Sequence, residues 1–127
     1  MSISAGKSPP VVLVVEDEPL LRILNVYVVE EAGFTAIEAC DADEAVVLLE
    51  SRADIALLFT DIDMPGSMDG LKLAHAVHDR WLPIKILVVS GKQRLQSSDL
   101  PSNSWFFGKP YRASALVDDL RSMVGSR

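Results

Sequence analysis

The sequence predicts an α/β domain: a five-stranded parallel sheet, doubly wound, with helices on both faces in three layers. Three observations carry that expectation. Five short apolar segments recur along the chain, and three of them, 11–15, 55–60 and 84–89, are continuous runs rich in Val, Ile and Leu, the composition of strands covered on both faces. Segments with helical spacing of apolar residues stand between them, which makes βαβ units with right-handed crossovers. Four of the five strand-like segments finish in a charged or reactive group: Glu16-Asp17, Asp61, Ser90 and Lys109.

The elements follow in order. Residues 1–10, MSISAGKSPP, are small and polar with no periodicity and read as a flexible lead-in, so the domain is expected to occupy 11–127. The first strand stops at Glu16-Asp17-Glu18. Pro19 suits the first turn of a helix, and Leu20, Leu21, Ile23, Leu24, Tyr27 and Val28 repeat at helical spacing up to Gly33. This helix has an unusually broad apolar face, read as core with a partner or dimer contact as the alternative. Residues 34–39 form the second strand, and Asp41 caps a helix carrying Ala45, Val46, Leu48 and Leu49. The third strand ends at Asp61-Ile62-Asp63, and a Pro/Gly/Ser loop, 64–68, leads to Asp69 as the cap of a helix with Leu71, Leu73, Ala74 and Val77. Pro83 precedes the fourth strand, which closes on Ser90-Gly91. Between Ser90 and Trp105 only Leu95 and Leu100 are apolar anchors, so the helix due there is expected to be short, frayed or absent. Residues 105–107 make the last strand, ending in Gly108-Lys109-Pro110, and Ala113, Leu116, Val117, Leu120, Met123 and Val124 mark a terminal amphipathic helix.

Composition bounds the function. A chain of 127 residues, 49% hydrophobic and 24% charged, has the length and balance of one domain. Such a chain buries roughly two thirds of its unfolded surface, enough to fold without disulfides or a structural metal. Its single Cys40 has no internal partner, reads as a small, partly buried apolar residue, and with no zinc spacing or cleavable leader fits a reducing, cytoplasmic location. No apolar run approaches a membrane span. With 12 Lys and Arg against 18 Asp and Glu the net charge is −6, the wrong sign for a direct nucleic-acid binder.

Ligands of parallel sheets bind beyond the carboxyl ends of the strands. Three or four carboxylates meeting there repel one another unless a divalent cation joins them, and oxygen-only ligation favours Mg²⁺. Lys109 adds a compensating charge. A carboxylate so placed can attack phosphorus, with metal and ammonium neutralising the equatorial oxygens and the Ser90 hydroxyl donating to one of them.

Across 11–124 the sequence resembles the response-regulator receiver domains of two-component signalling, the CheY-like fold, through VVLVVEDE, LLFTDIDMP with MDG, LVVSG and FGKPY in that order. The resemblance implies that Asp61 accepts a phosphoryl group from a histidine kinase, a histidine phosphotransfer protein or a small donor such as acetyl phosphate. It implies Mg²⁺ ligation by Asp17 and Asp61 carboxylates, by the Asp63 main-chain carbonyl, and by Glu16 directly or through water. Glu16 stands where Asp is commoner, and its extra methylene alters affinity rather than ligand type. Lys109 matches the lysine that pairs with the phosphoryl group, with a cis bond to Pro110. Ser90 matches the switch hydroxyl and Phe106 the aromatic that turns inward with it. Many relatives carry Tyr at that place, and Phe lacks the hydroxyl. The loop after Asp61 is longer than the common one by a single residue, and the interval from Ser90 to Lys109 is shorter.

The resemblance thus implies a switch with slow self-dephosphorylation rather than a turnover enzyme, acting through an unidentified downstream partner, as a single-domain regulator, a phosphorelay intermediate or a receiver excised from a larger regulator. A homodimer is left open. Two rivals are a receiver-like scaffold that is not phosphorylated and a haloacid-dehalogenase-like phosphatase. Pro65, and the two strands that precede Asp61-Ile62-Asp63, argue against the phosphatase. Glu18 and Asp41 read as helix caps, and His75 and His78 as a solvated helix face rather than metal ligands.

Overall fold

The computed structural model describes residues 9–62, 69–81, 83–91, 97–108 and 112–123. The chain runs β1 (Val11–Val15), α1 (Pro19–Glu31), β2 (Thr35–Ala39), α2 (Ala42–Ser51), β3 (Ile55–Asp61), α3 (Gly70–Arg80), β4 (Lys85–Ser90), a 3₁₀ turn (Ser97–Asp99), β5 (Ser104–Gly108) and α4 (Ala113–Met123). All four strand pairings are parallel, in the order β2-β1-β3-β4-β5. The expected α/β architecture is therefore present, and the connection before β5 carries a 3₁₀ turn among its described residues where a helix was expected to be weak. The lead-in up to residue 8, the loop at 63–68 and Val124 lie outside the described residues.

Alternation along the buried strands sorts side chains into two cores. Leu13, Val15, Leu58 and Val88 face α2 and α3, where Ala45, Leu49, Leu73 and Val77 meet them. Val12, Val14, Leu57, Phe59, Leu87 and Val89 face α1 and α4, against Val28, Val29, Leu116 and Leu120. β1, β3 and β4 are central and almost fully enclosed, as their unbroken apolar runs require.

Local chemistry sets the helix ends. Glu18 caps α1 by accepting from the Leu21 N–H, Asp41 caps α2 from Glu44 N–H at 2.8 Å, and Asp69 caps α3 from Lys72 N–H at 2.9 Å. Gly33, at φ 94°, follows the end of α1 and donates its N–H to Glu30 O at 3.0 Å. Arg121 of α4 reaches across and donates to the carbonyls of Glu31 at 3.2 Å and Ala32 at 3.3 Å, satisfying acceptors that α1 leaves open.

Three expectations need correction. The breadth of the apolar face of α1 is not core packing: Asn25, Val28 and Val29 face the sheet, whereas Leu20, Ile23, Leu24 and Tyr27 are 51–75% exposed. Cys40 is exposed, because the residue after the last residue of β2 sits on the rim of the sheet rather than within a layer. His75 and His78 do more than face solvent. His75 Nε2 donates to the Asp99 carbonyl at 2.8 Å and His78 Nε2 lies 3.0 Å from Ser102 Oγ, so one turn of α3 ties down the chain leading into β5.

Candidate functional site

The carboxyl ends of β1 and β3 are neighbours because the two strands pair directly, with Val15 opposite Thr60. The residues that follow, Glu16 and Asp17 on one side and Asp61 on the other, are thereby brought to one point of the rim. Each offers a carboxylate oxygen, and these three atoms lie within 4.8 Å of one another. Glu16 is 1% exposed and Asp61 4% exposed, so two of the three charges stand almost out of solvent, with Asp17 half-buried. Carboxylates so close and so enclosed require compensation. The donor set is all oxygen and fits a hard divalent cation such as Mg²⁺.

The backbone around the cluster is braced. The Glu16 N–H donates to Ala39 O at 3.1 Å, and the Glu18 N–H to a Glu16 carboxylate oxygen at 3.1 Å. Arg22, one turn into α1, donates to Glu16 O at 2.9 Å and pairs with Glu38 at 3.2 Å, so a guanidinium lies against the acidic turn. On the other strand the buried Thr60 hydroxyl donates to Asp61 O at 3.0 Å, and the Ile62 N–H donates to Val89 O at 2.9 Å.

Ser90 ends β4, one residue beyond Val89, the partner of Asp61 in the sheet, and is 3% exposed. Phe106 lies on the edge strand β5 opposite Val88 and is 41% exposed, its ring running along the strand toward Gly108. The structure therefore groups Glu16, Asp17 and Asp61, sets Ser90 on the strand beside Asp61, and leaves Phe106 turned outward. Asp63, Lys109 and Pro110 lie outside the described residues. Arg22, Thr60 and Gly70 were missed as supporting residues. The signal for Gly70 was its place directly after a helix cap, close in sequence to Asp61.

Cys40 stands on the same rim. Its N–H donates to Glu44 at 2.6 Å, and the hydrogen bond with the Glu44 carboxylate, helped by desolvation and by the charges of Glu44 and Asp41, raises the pKa of its thiol.

No helix among the described residues is long and apolar enough to cross a membrane. Residues 12–100 match the family model of the response regulator receiver domain. The chain is 30% identical over 110 residues to the nitrogen assimilation regulatory protein NtrX of Azorhizobium caulinodans, covering 84% of this chain and 24% of that protein. It is 30% identical over 118 residues to the phosphate regulon transcriptional regulatory protein PhoB of Escherichia coli, covering 89% of this chain and 51% of that one. The chain thus spans about a quarter to a half of the length of these relatives. A response regulator receiver protein from Sinorhizobium medicae superposes with a TM-score of 0.85 at 23% identity, covering 93% of this chain and 96% of that one. Parallel strand order, an acidic cluster at the strand ends and the match over most of the chain lead to one conclusion: the chain belongs to the response regulator receiver domains, the phosphorylation-based signalling modules of two-component systems.

Proposed function

We propose that the chain is a signalling switch in which Asp61 accepts a phosphoryl group from a histidine kinase or a histidine phosphotransfer protein. The observation that carries the reading is the grouping of Glu16, Asp17 and Asp61 within 4.8 Å at paired strand ends. A carboxylate oxygen of Asp61 attacks phosphorus, the bond from phosphorus to the donor nitrogen breaks, and the nitrogen keeps the electron pair and takes up a proton. Glu16, Asp17, Asp61 and the Asp63 main-chain carbonyl are the residues that would hold Mg²⁺, which when bound supplies charge neutralisation for the transferred oxygens. Lys109 pairs with the phosphoryl group. The Ser90 hydroxyl moves toward the phosphoryl group and donates to one of its oxygens, and Phe106 turns from its outward position into the space so vacated, held there by packing, since Phe has no hydroxyl to bond.

The domain extends over 11–127, acts in the cytoplasm and passes the signal to a downstream protein, either alone or as part of a larger regulator. Water attacking phosphorus returns Asp61 slowly to the free carboxylate. The chemistry is one event per cycle of the switch, so hydrolysis of a general phosphate ester is expected to be absent, in contrast to a phosphatase.

The experiment is intact mass after incubation with acetyl phosphate, with and without Mg²⁺, on the parent and on Asp61→Ala. A Mg²⁺-dependent gain of one phosphoryl group in the parent alone is expected. Retained incorporation in Asp61→Ala would defeat the assignment, and no incorporation in the parent from either acetyl phosphate or a phosphorylated histidine phosphotransfer protein would favour the scaffold.

A further inference from the structure

We infer that Gly70 and Thr60 are positioning residues for Asp61, clamping its main chain from two sides; the inference rests on the reading of Asp61 as phosphoacceptor and deepens it. Gly70 is the first residue of α3, and its N–H donates to Ile62 O at 3.1 Å, so the connection that leaves β3 after Asp61 returns to the same spot. The return is very close. A Cβ on Gly70 would overlap the Asp61 carbonyl oxygen and lie 2.6 Å from the Asp61 carbonyl carbon and 2.7 Å from Ile62 Cα. All three are backbone atoms, which cannot swing aside as the end of a side chain can. Any other residue at position 70 must push either α3 or the Asp61–Ile62 peptide out of place.

The same peptide is held at its other atoms. The Thr60 hydroxyl, with Thr60 0% exposed, donates to the Asp61 carbonyl at 3.0 Å, and the Ile62 N–H is anchored on Val89 O at 2.9 Å across the sheet. The carbonyl oxygen of Asp61 is therefore pinned between a hydroxyl and the Cα of Gly70, and the peptide nitrogen is pinned by β4. The carboxylate is joined to this plane through Cα and Cβ, so displacement of the plane moves the attacking oxygen. In-line attack needs reacting atoms about 3–3.5 Å apart, and a misplacement of about 1 Å costs about 100-fold in rate.

The test compares Gly70→Ala, Thr60→Val and Gly33→Ala with the parent. Gly33 is the control: its φ of 94° strains an alanine, but nothing lies within 4 Å of the added Cβ, so it lowers stability without touching the site. Three quantities are measured below each protein's melting transition: the rate of phosphorylation by acetyl phosphate, Mg²⁺ affinity by calorimetry, and the ¹³C shift of the Asp61 carboxyl carbon. Gly70→Ala is expected to slow phosphorylation about 10- to 100-fold, to weaken Mg²⁺ binding and to move the Asp61 shift. Thr60→Val keeps the shape, loses only the hydroxyl, and is expected to act in the same direction by about 3- to 10-fold. Gly33→Ala melts earlier with parental values for all three. Parental rate, affinity and shift in Thr60→Val would overturn the clamp, and this holds even where Gly70→Ala does not fold. A parent that takes no phosphoryl group, or an Asp61→Ala that does, overturns the functional reading instead, and the Asp61 carboxyl shift in Thr60→Val still decides on the clamp.

Discussion

Replacing Asp61 by Asn should make the metal-free protein more stable. The amide keeps the shape of the side chain and removes one charge from a cluster whose oxygens lie within 4.8 Å of one another. At that separation a like-charge pair costs about 0.9 kcal/mol at the dielectric of water and about 3.5 kcal/mol at an effective dielectric near 20. Asp61 belongs to two such pairs, with Glu16 and Asp17. Glu16 and Asp61 are almost out of solvent and Asp17 is half-buried, so the lower value is a floor, giving at least about 2 kcal/mol for both pairs. For a domain of this size that is a rise of about 6–10 °C in Tm. The assay is thermal unfolding by far-UV circular dichroism at neutral pH and low salt, with EDTA and then with Mg²⁺. A cation present at a hundred times its dissociation constant stabilises the parent by about 2.7 kcal/mol, and loss of a carboxylate ligand removes much of that gain. The variant should therefore lead in EDTA and lose its lead in Mg²⁺. A variant melting at or below the parent in EDTA would refute the claim that these three carboxylates repel, and with it the physical basis for a cation here.

Other parts of the molecule give outcomes of their own. Replacing His75 and His78 together by Ala removes both ties from α3 to the chain before β5, and amides near 99–104 should exchange with solvent about tenfold faster while the strands keep their protection. The raised pKa of Cys40 means less thiolate at a given pH, so iodoacetamide should alkylate it slowly at pH 7 in spite of its exposure; Glu44→Gln should speed the reaction, and an unchanged rate would contradict the role given to Glu44. Phe106→Ala should cost less than about 1 kcal/mol in chemical denaturation, because the ring is 41% exposed, and should leave phosphorylation intact while abolishing the accompanying change in the amide spectrum near β5.

Legibility differed with the range of the interaction. The strands β1, β3 and β4 were readable because residues covered on both faces must be apolar without interruption, a local pattern. The caps Glu18, Asp41 and Asp69 were readable because a helix start asks for an acceptor a few residues before its first free N–H groups. The outward stripe of α1 was not, since Leu20, Ile23, Leu24 and Tyr27 obey the same spacing as core residues and only the placement of the sheet decides which side faces it. Cys40 was misjudged for a related reason: exposure of a residue at a strand end depends on what stands over the rim. The bonds of His75 to Asp99 and of His78 to Ser102 span 24 residues each, beyond the reach of any local pattern.

The sequence by itself determined the class of fold, the order of its elements and the set of acidic strand ends, because periodicity, capping and charge are properties of neighbours along the chain. The tertiary structure alone decided how closely Glu16, Asp17 and Asp61 meet, that Gly70 closes on the Asp61 carbonyl, and that Phe106 faces outward. Those relations arise where β1 pairs with β3 and α3 returns to the strand it left, and contacts between distant residues are set by how the layers pack.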